Sequence, residues 1–122
     1  MDVSRIIHAD AGRVWEVIID TRTWSKWGPS VKNVELPSIY ISQGACGHVQ
    51  TAVGLWLPFM ITDFEPGAYW AWKVGRIQAT GHKVEPLNSA SCRLTFEVPN
   101  WGVPYALVCW LALRKIAVLV EN

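Results

Sequence analysis

From Tyr105 to Glu121 the chain is helical in length and composition, and it is apolar on nearly every side until Arg114 and Lys115. Pro104 stands where a first-turn proline belongs. A helix of this kind needs an element that encloses it, so the rest of the sequence must supply an apolar face large enough to wrap around it. That requirement restricts the fold more than any other stretch of the sequence.

The middle of the chain meets the requirement, because there the hydrophobic period changes from helical to alternating. Strands are predicted at Val31 to Leu36, His48 to Val53 and Leu57 to Glu65, with Pro37 to Gly47 as a loop and Gly54 as a bend. Pro66-Gly67 is a turn signal. In Tyr69 to Val74, Lys73 belongs to the wet face, which puts Trp70, Trp72 and Val74 on the dry one. In the next strand Lys83 and Glu85 face out, so Thr80, His82 and Val84 face in, and Leu87 to Ala90 turns the chain. The last strand is the cleanest, with Cys92, Leu94, Phe96 and Val98 alternating with Arg93, Thr95 and Glu97. Short turns between successive strands predict an antiparallel meander with one apolar face. Ahead of it, Val3 to Ile7 reads as a first strand. Ala9 to Asp20 reads as a short helix with Asp10 as N-cap and Val14, Trp15, Val17 and Ile18 on its buried arc, and Thr21 to Trp27 as a second helix or turn ended by Gly28-Pro29. The expectation is one α+β domain over residues 1–122, a curved antiparallel sheet around a long C-terminal helix with two short helices after the first strand.

Composition excludes several function classes. The net charge is +1 and the basic residues are scattered, so nothing points to nucleic acid. Half the residues are hydrophobic and 17% are charged, which argues against disorder. The N-terminus lacks the apolar run of a signal peptide. The most apolar stretch, Val103 to Leu113, is too short to span a bilayer. Cys46, Cys92 and Cys109 are odd in number and far apart, and they read as reduced thiols in a cytoplasmic protein. The histidines form no metal set and no HExxH or CxxC spacing exists, so neither a metal nor a cofactor is expected. The outlier is tryptophan, with eight in 122 residues. Side chains that each bury on the order of 200 Å² either pack into a solid core or line a space, and the sequence leaves both readings open.

The stretch Ile7-His8-Ala9 with Val14-Trp15-Glu16-Val17, then Asp20, Trp24, Trp27, Gly28-Pro29 and Val34-Glu35-Leu36, resembles the opening of SRPBCC (START-like) proteins, in particular their polyketide cyclase/dehydrase-like branch. Gly54, Phe64-Glu65-Pro66-Gly67 and Cys92-Arg93-Leu94-Thr95-Phe96 continue the pattern, so the likeness spans essentially the whole chain. The resemblance implies a helix-grip fold with a cavity between sheet and helix. Members bind lipids, sterols or polyketides, and some catalyse cyclisation.

Against that frame, His82 is the candidate catalytic residue, since alternation turns it toward the apolar face where an imidazole can serve as acid-base or bond a ligand; a core histidine on a backbone carbonyl is the plainer reading. His48 falls on the outer face and His8 at a strand end. Trp56, Trp70 and Trp72 are candidates for an aromatic ligand wall, with His82, Phe96 and Cys109 also facing the interior and Trp101 and Tyr105 flanking the start of the helix. Asp63 and Glu65, two apart on one strand and alternating with Met60, Thr62 and Phe64, are expected to point outward, as are Arg93 and Glu97. The leading expectation is an intracellular binding module for a small hydrophobic ligand (a lipid, an isoprenoid or a polyketide-like aromatic), as a monomer or weak homodimer. The alternatives are a cyclase/dehydratase-like enzyme using His82, with Tyr105 assisting, and an interaction protein with a filled core.

Overall fold

A computed structural model describes residues 1–100 and 105–121. Strand β1 (Asp2–Ile7) is followed by helix α1 (Ala11–Ile19), a 3-10 turn (Thr21–Thr23) and the single helical turn α2 (Trp24–Trp27). Six strands come next, β2 (Val31–Glu35), β3 (Cys46–Thr51), β4 (Trp56–Glu65), β5 (Tyr69–Val74), β6 (Ile77–Asn88) and β7 (Ser91–Glu97), and helix α3 (Ala106–Val120) ends the fold. All pairings are antiparallel and the sheet order is β1-β7-β6-β5-β4-β3-β2. This is the expected α+β arrangement, a meander from β2 to β7 closed by β1 along its last strand. Pro104, expected to start α3, lies outside the described residues.

Local chemistry explains the entry to the sheet. Asp10 caps α1 by accepting from Gly12 N at 2.8 Å, and Val14, Trp15 and Ile18 form the buried arc of α1. Asp20 caps the 3-10 turn by accepting from Arg22 N, and it holds the Arg22 guanidinium at 2.8 and 3.0 Å. The Arg22 hydrogen bond holds the Asp20 carboxyl below its ordinary range. Thr23 Oγ1 donates to Val17 O, and Trp24 Nε1 donates to Ile18 O at 3.0 Å. These bonds fasten α2 under α1 and drive Trp24 and Trp27 into the core.

The structure corrects the sequence reading in several places. Strand β3 begins at Cys46, inside the expected loop, and β6 runs on to Asn88, leaving a tight turn at Ser89-Ala90. A bulge between Ile61 and Asp63 breaks the alternation of β4. Before it Phe59 and Ile61 face in and Met60 faces out; beyond it Phe64 is inward while Asp63 and Glu65 are exposed. The expected alternation of Met60 with Thr62 and Phe64 therefore fails at Met60, because one extra residue in a strand shifts every later side chain by one face. On β1, Arg5 lies on the same face as Val3 and Ile7, half-buried, with no partner for its Nε among the described residues.

The largest correction concerns α3. It packs on β1, α1 and α2 and buries Cys109, Ala112, Leu113, Ile116, Ala117 and Val120. Its other side is not enclosed. Leu107 is 66% exposed and Trp110 44%, with Leu111 and Leu119 also at the surface. The apolar composition all round the helix is real, but the sheet and short helices cover only one side.

Candidate ligand-binding site

The inner face of the sheet meets α2 and α3 in an aromatic cluster. Trp24 and Trp70 stack with ring centroids 5.4 Å apart and planes 3° from parallel. Trp72 stands edge-on to Trp24 at 5.2 Å, and Phe59 tilts against Trp24 at 5.7 Å. The register explains the stack: Trp70 sits opposite His82, and His82 opposite Phe96, so three strands deliver three rings to one level. His82 lies flat on Trp70 at 3.7 Å and takes the edge contact of Phe96 at 4.7 Å. Trp27 closes the cluster from α2 against Phe96 at 5.9 Å.

The hydrogen bonds of His82 set its chemistry. Its Nδ1 lies 3.2 Å from Trp70 O, which can only accept, so Nδ1 carries the proton. Nε2 is then an acceptor, and the Thr80 hydroxyl at 3.2 Å donates to it. Thr80 Oγ1 in turn accepts from Trp72 Nε1 at 3.2 Å. Each member of this line uses its donor, and the imidazole has no free proton or lone pair. Burial pushes its pKa down to about 3, against the smaller opposing effect of the Trp70 carbonyl. A neutral ring of this kind holds the core together; a group poised for acid-base work near neutrality requires a pKa close to 7. The geometry thus lends no support to His82 as acid-base. In the same cluster, Trp70 Nε1 is buried and has no acceptor among the described residues.

Two adjoining spaces remain. The inner one, about 40 Å³, lies among Trp24, Trp27, Trp70, His82, Phe96 and Cys109. It has room for water but not for a lipid or polyketide, since ligand pockets run to roughly 300–1,000 Å³. The outer one is a vestibule of about 360 Å³ walled by Val49, Val74, Ala79 and Val98, with Ala52 and Val53 of the β3–β4 turn at its rim. Ser30, Val31, Trp72, Thr80 and Tyr105 border both spaces. At this junction Ser30 Oγ and Tyr105 Oη are hydrogen-bonded at 2.5 Å. Among the described lining residues only His82, Tyr105 and Cys109 titrate, and all three are neutral at pH 7: burial lifts the Tyr105 hydroxyl, with the Ser30 bond opposing, and pushes the Cys109 thiol to about 11. A wider hollow of about 720 Å³ beside Glu35, His48 and Lys73 is open to solvent and meets the aromatic cluster only at Phe59.

Of the residues singled out from sequence, Trp70, Trp72, His82, Phe96, Tyr105 and Cys109 come together at the inner space. Trp56 does not join them: it lies at the start of β4, is 43% exposed and borders neither space. Trp101 lies outside the described residues. His48 is exposed, as expected. The sequence reading did not select Trp24 and Trp27, although their spacing of three on a short helix places them on one side. Ser30 gave no signal at all, because only the packing of the loop after α2 on α3 reveals it.

Comparison with known proteins places this geometry. A family model described as polyketide cyclase / dehydrase and lipid transport matches residues 1–113. The chain belongs to that family. Among solved structures it is similar to the hypothetical protein jhp0584 from Helicobacter pylori, at a TM-score of 0.78 and 13% identity, over 98% of this chain and 86% of that one. It is likewise similar to the Zhui aromatase/cyclase from Streptomyces sp. R1128, at 0.71 and 15%, over 99% and 92%. A third is DynU16, a protein in the dynemicin biosynthetic locus, at 0.69 and 20%, over all of this chain and 47% of that one. At these identities the likeness shows the fold. No curated protein sequence matches the chain. No helix among the described residues is long and apolar enough to cross a membrane, and no group of three or more metal-ligating side chains comes together there.

Proposed function

We propose that this chain is a binding module that holds a small hydrophobic molecule in the vestibule, between the strands of its sheet and Tyr105 just ahead of α3. The observation that carries the reading is the vestibule itself: about 360 Å³ of mostly apolar space with Trp72 in its wall. Membership of a family described by polyketide cyclases and lipid transport supports the same reading. Lipids, isoprenoids and polyketide-like aromatics all fit it in chemical character. A role in catalysis through His82 receives no support from its closed hydrogen-bond line.

Native mass spectrometry of the purified protein, followed by organic extraction, tests the reading. The expected result is a non-covalent adduct, or an empty protein whose tryptophan fluorescence responds to apolar aromatics. An empty protein whose fluorescence ignores lipids and aromatics alike would overturn it.

A further inference from the structure

We infer that the ligand is electrically neutral and presents a hydrogen-bond acceptor oxygen (a ketone, ester or ether) to the Ser30–Tyr105 hydroxyl pair. This inference rests on the reading of the vestibule as a ligand site and adds to it the chemical class of the ligand and the residues that select it.

Two observations carry it independently. The first is charge. Among the described residues no aspartate, glutamate, lysine or arginine lines either space. The segment 101–104 reads Trp-Gly-Val-Pro and so brings no ionisable side chain wherever it lies. The titratable lining groups, His82, Tyr105 and Cys109, are all held in their neutral forms. An ionised carboxylate, sulfate or phosphate drawn into this space would lose its hydration and gain no counter-charge, a cost large enough to exclude it.

The second is proton accounting among the hydroxyls. Thr80 is fully used, donating to His82 and accepting from Trp72. Ser30 and Tyr105 are different. Between them they carry two O–H protons and share one hydrogen bond, and neither oxygen has another partner among the described residues. Among the described residues one O–H is therefore left to donate. It lies at the junction of the two spaces, on half-buried residues that border both. An acceptor oxygen there completes the pair, while the apolar body of the ligand lies against Trp72, Val74 and Val98. A ligand without such an oxygen leaves that donor unpaired, and a half-buried unpaired hydroxyl weakens binding.

The test uses three probes with one ring system: 2-acetylnaphthalene, which is neutral with an acceptor; 2-naphthoate, which carries a carboxylate; and naphthalene, which has neither. Binding to the intact ¹⁵N-labelled protein at pH 7 is followed through the indole N–H signals. The ketone is expected to bind, with naphthoate weaker by roughly 100-fold. The double variant Ser30→Ala/Tyr105→Phe, which removes both O–H donors where either single variant would leave one free, is expected to weaken the ketone by about 2- to 10-fold while naphthalene still binds, which also shows that the variant is folded. Naphthoate binding as tightly as the ketone would overturn the assignment of a neutral ligand. An unchanged preference for the ketone over naphthalene in the double variant would overturn the assignment of the hydroxyl pair. If none of the three probes binds, the ligand-module reading itself fails, and this inference fails with it.

Discussion

The inner space under α3 and the vestibule beside it share five residues yet are built on opposite terms. The inner one is bounded by rings at stacking distance and is nearly filled, about 40 Å³ against about 360 Å³ in the vestibule. The vestibule is walled mostly by valine and alanine, with Trp72 as its principal aromatic surface. Tryptophan abundance therefore marks where this fold is solid. Room for a ligand appears where β-branched and small side chains replace the rings, and the five shared residues form the boundary between the two regimes.

The sharpest way to break the contrast is to remove a ring from the solid part. Trp24→Ala deletes a side chain that stacks on Trp70 and bonds Ile18 O, and is expected to lower stability by about 3–5 kcal/mol. Chemical denaturation measures this; a loss under about 1 kcal/mol would show the cluster to be loosely packed.

Acid attacks the same region through His82. Its folded pKa of about 3 lies below the ordinary 6.5. Between those values the unfolded chain binds a proton that the folded chain refuses. Stability is then level with respect to this group above about pH 6.5 and falls as the pH drops toward 3, by up to about 1.4 kcal/mol per unit. His82→Gln is expected to flatten that slope when denaturation is repeated across the range, and a slope that survives the substitution would place its origin elsewhere.

The vestibule should respond in the opposite sense. Val74→Trp, on the inward face of β5 with Trp70 and Trp72, fills it from the sheet and is expected to cost at least about tenfold in affinity for an apolar aromatic probe while stability moves by less than about 1 kcal/mol. Titration calorimetry on the variant checks this. The smallest effect is expected outside both spaces: Trp56→Ala and His48→Ala should leave probe affinity unchanged and shift stability by no more than about 0.5 kcal/mol.

How far the sequence carried the account follows the same division. Strand order, the capped α1 and the inward set Trp70, Trp72, His82 and Phe96 were legible because alternation and capping are local rules. Met60 and Trp56 were not. The bulge at Ile61/Asp63 and the exposed start of β4 depend on how neighbouring strands pair, which residue order alone does not encode. The exposed side of α3 escaped notice for a related reason: an apolar surface on a helix says that it can be buried, and only the number of neighbouring elements decides how much of it is. Ser30 became a site residue through one contact, 75 positions away in the chain, with Tyr105. The filling of the inner space was equally out of reach, because eight tryptophans are compatible with a wall or a plug until their stacking is seen.

The most direct test of the division is an indole N–H correlation spectrum of the labelled protein during titration with 2-acetylnaphthalene. The largest displacement is expected for Trp72, whose ring borders the vestibule, with smaller changes at Trp24 and Trp70 behind it. A largest displacement at Trp24 or Trp70 would show that the ligand opens the inner cluster, and one at Trp56 or Trp110 would show that it binds on the outside of the fold; either would contradict the account.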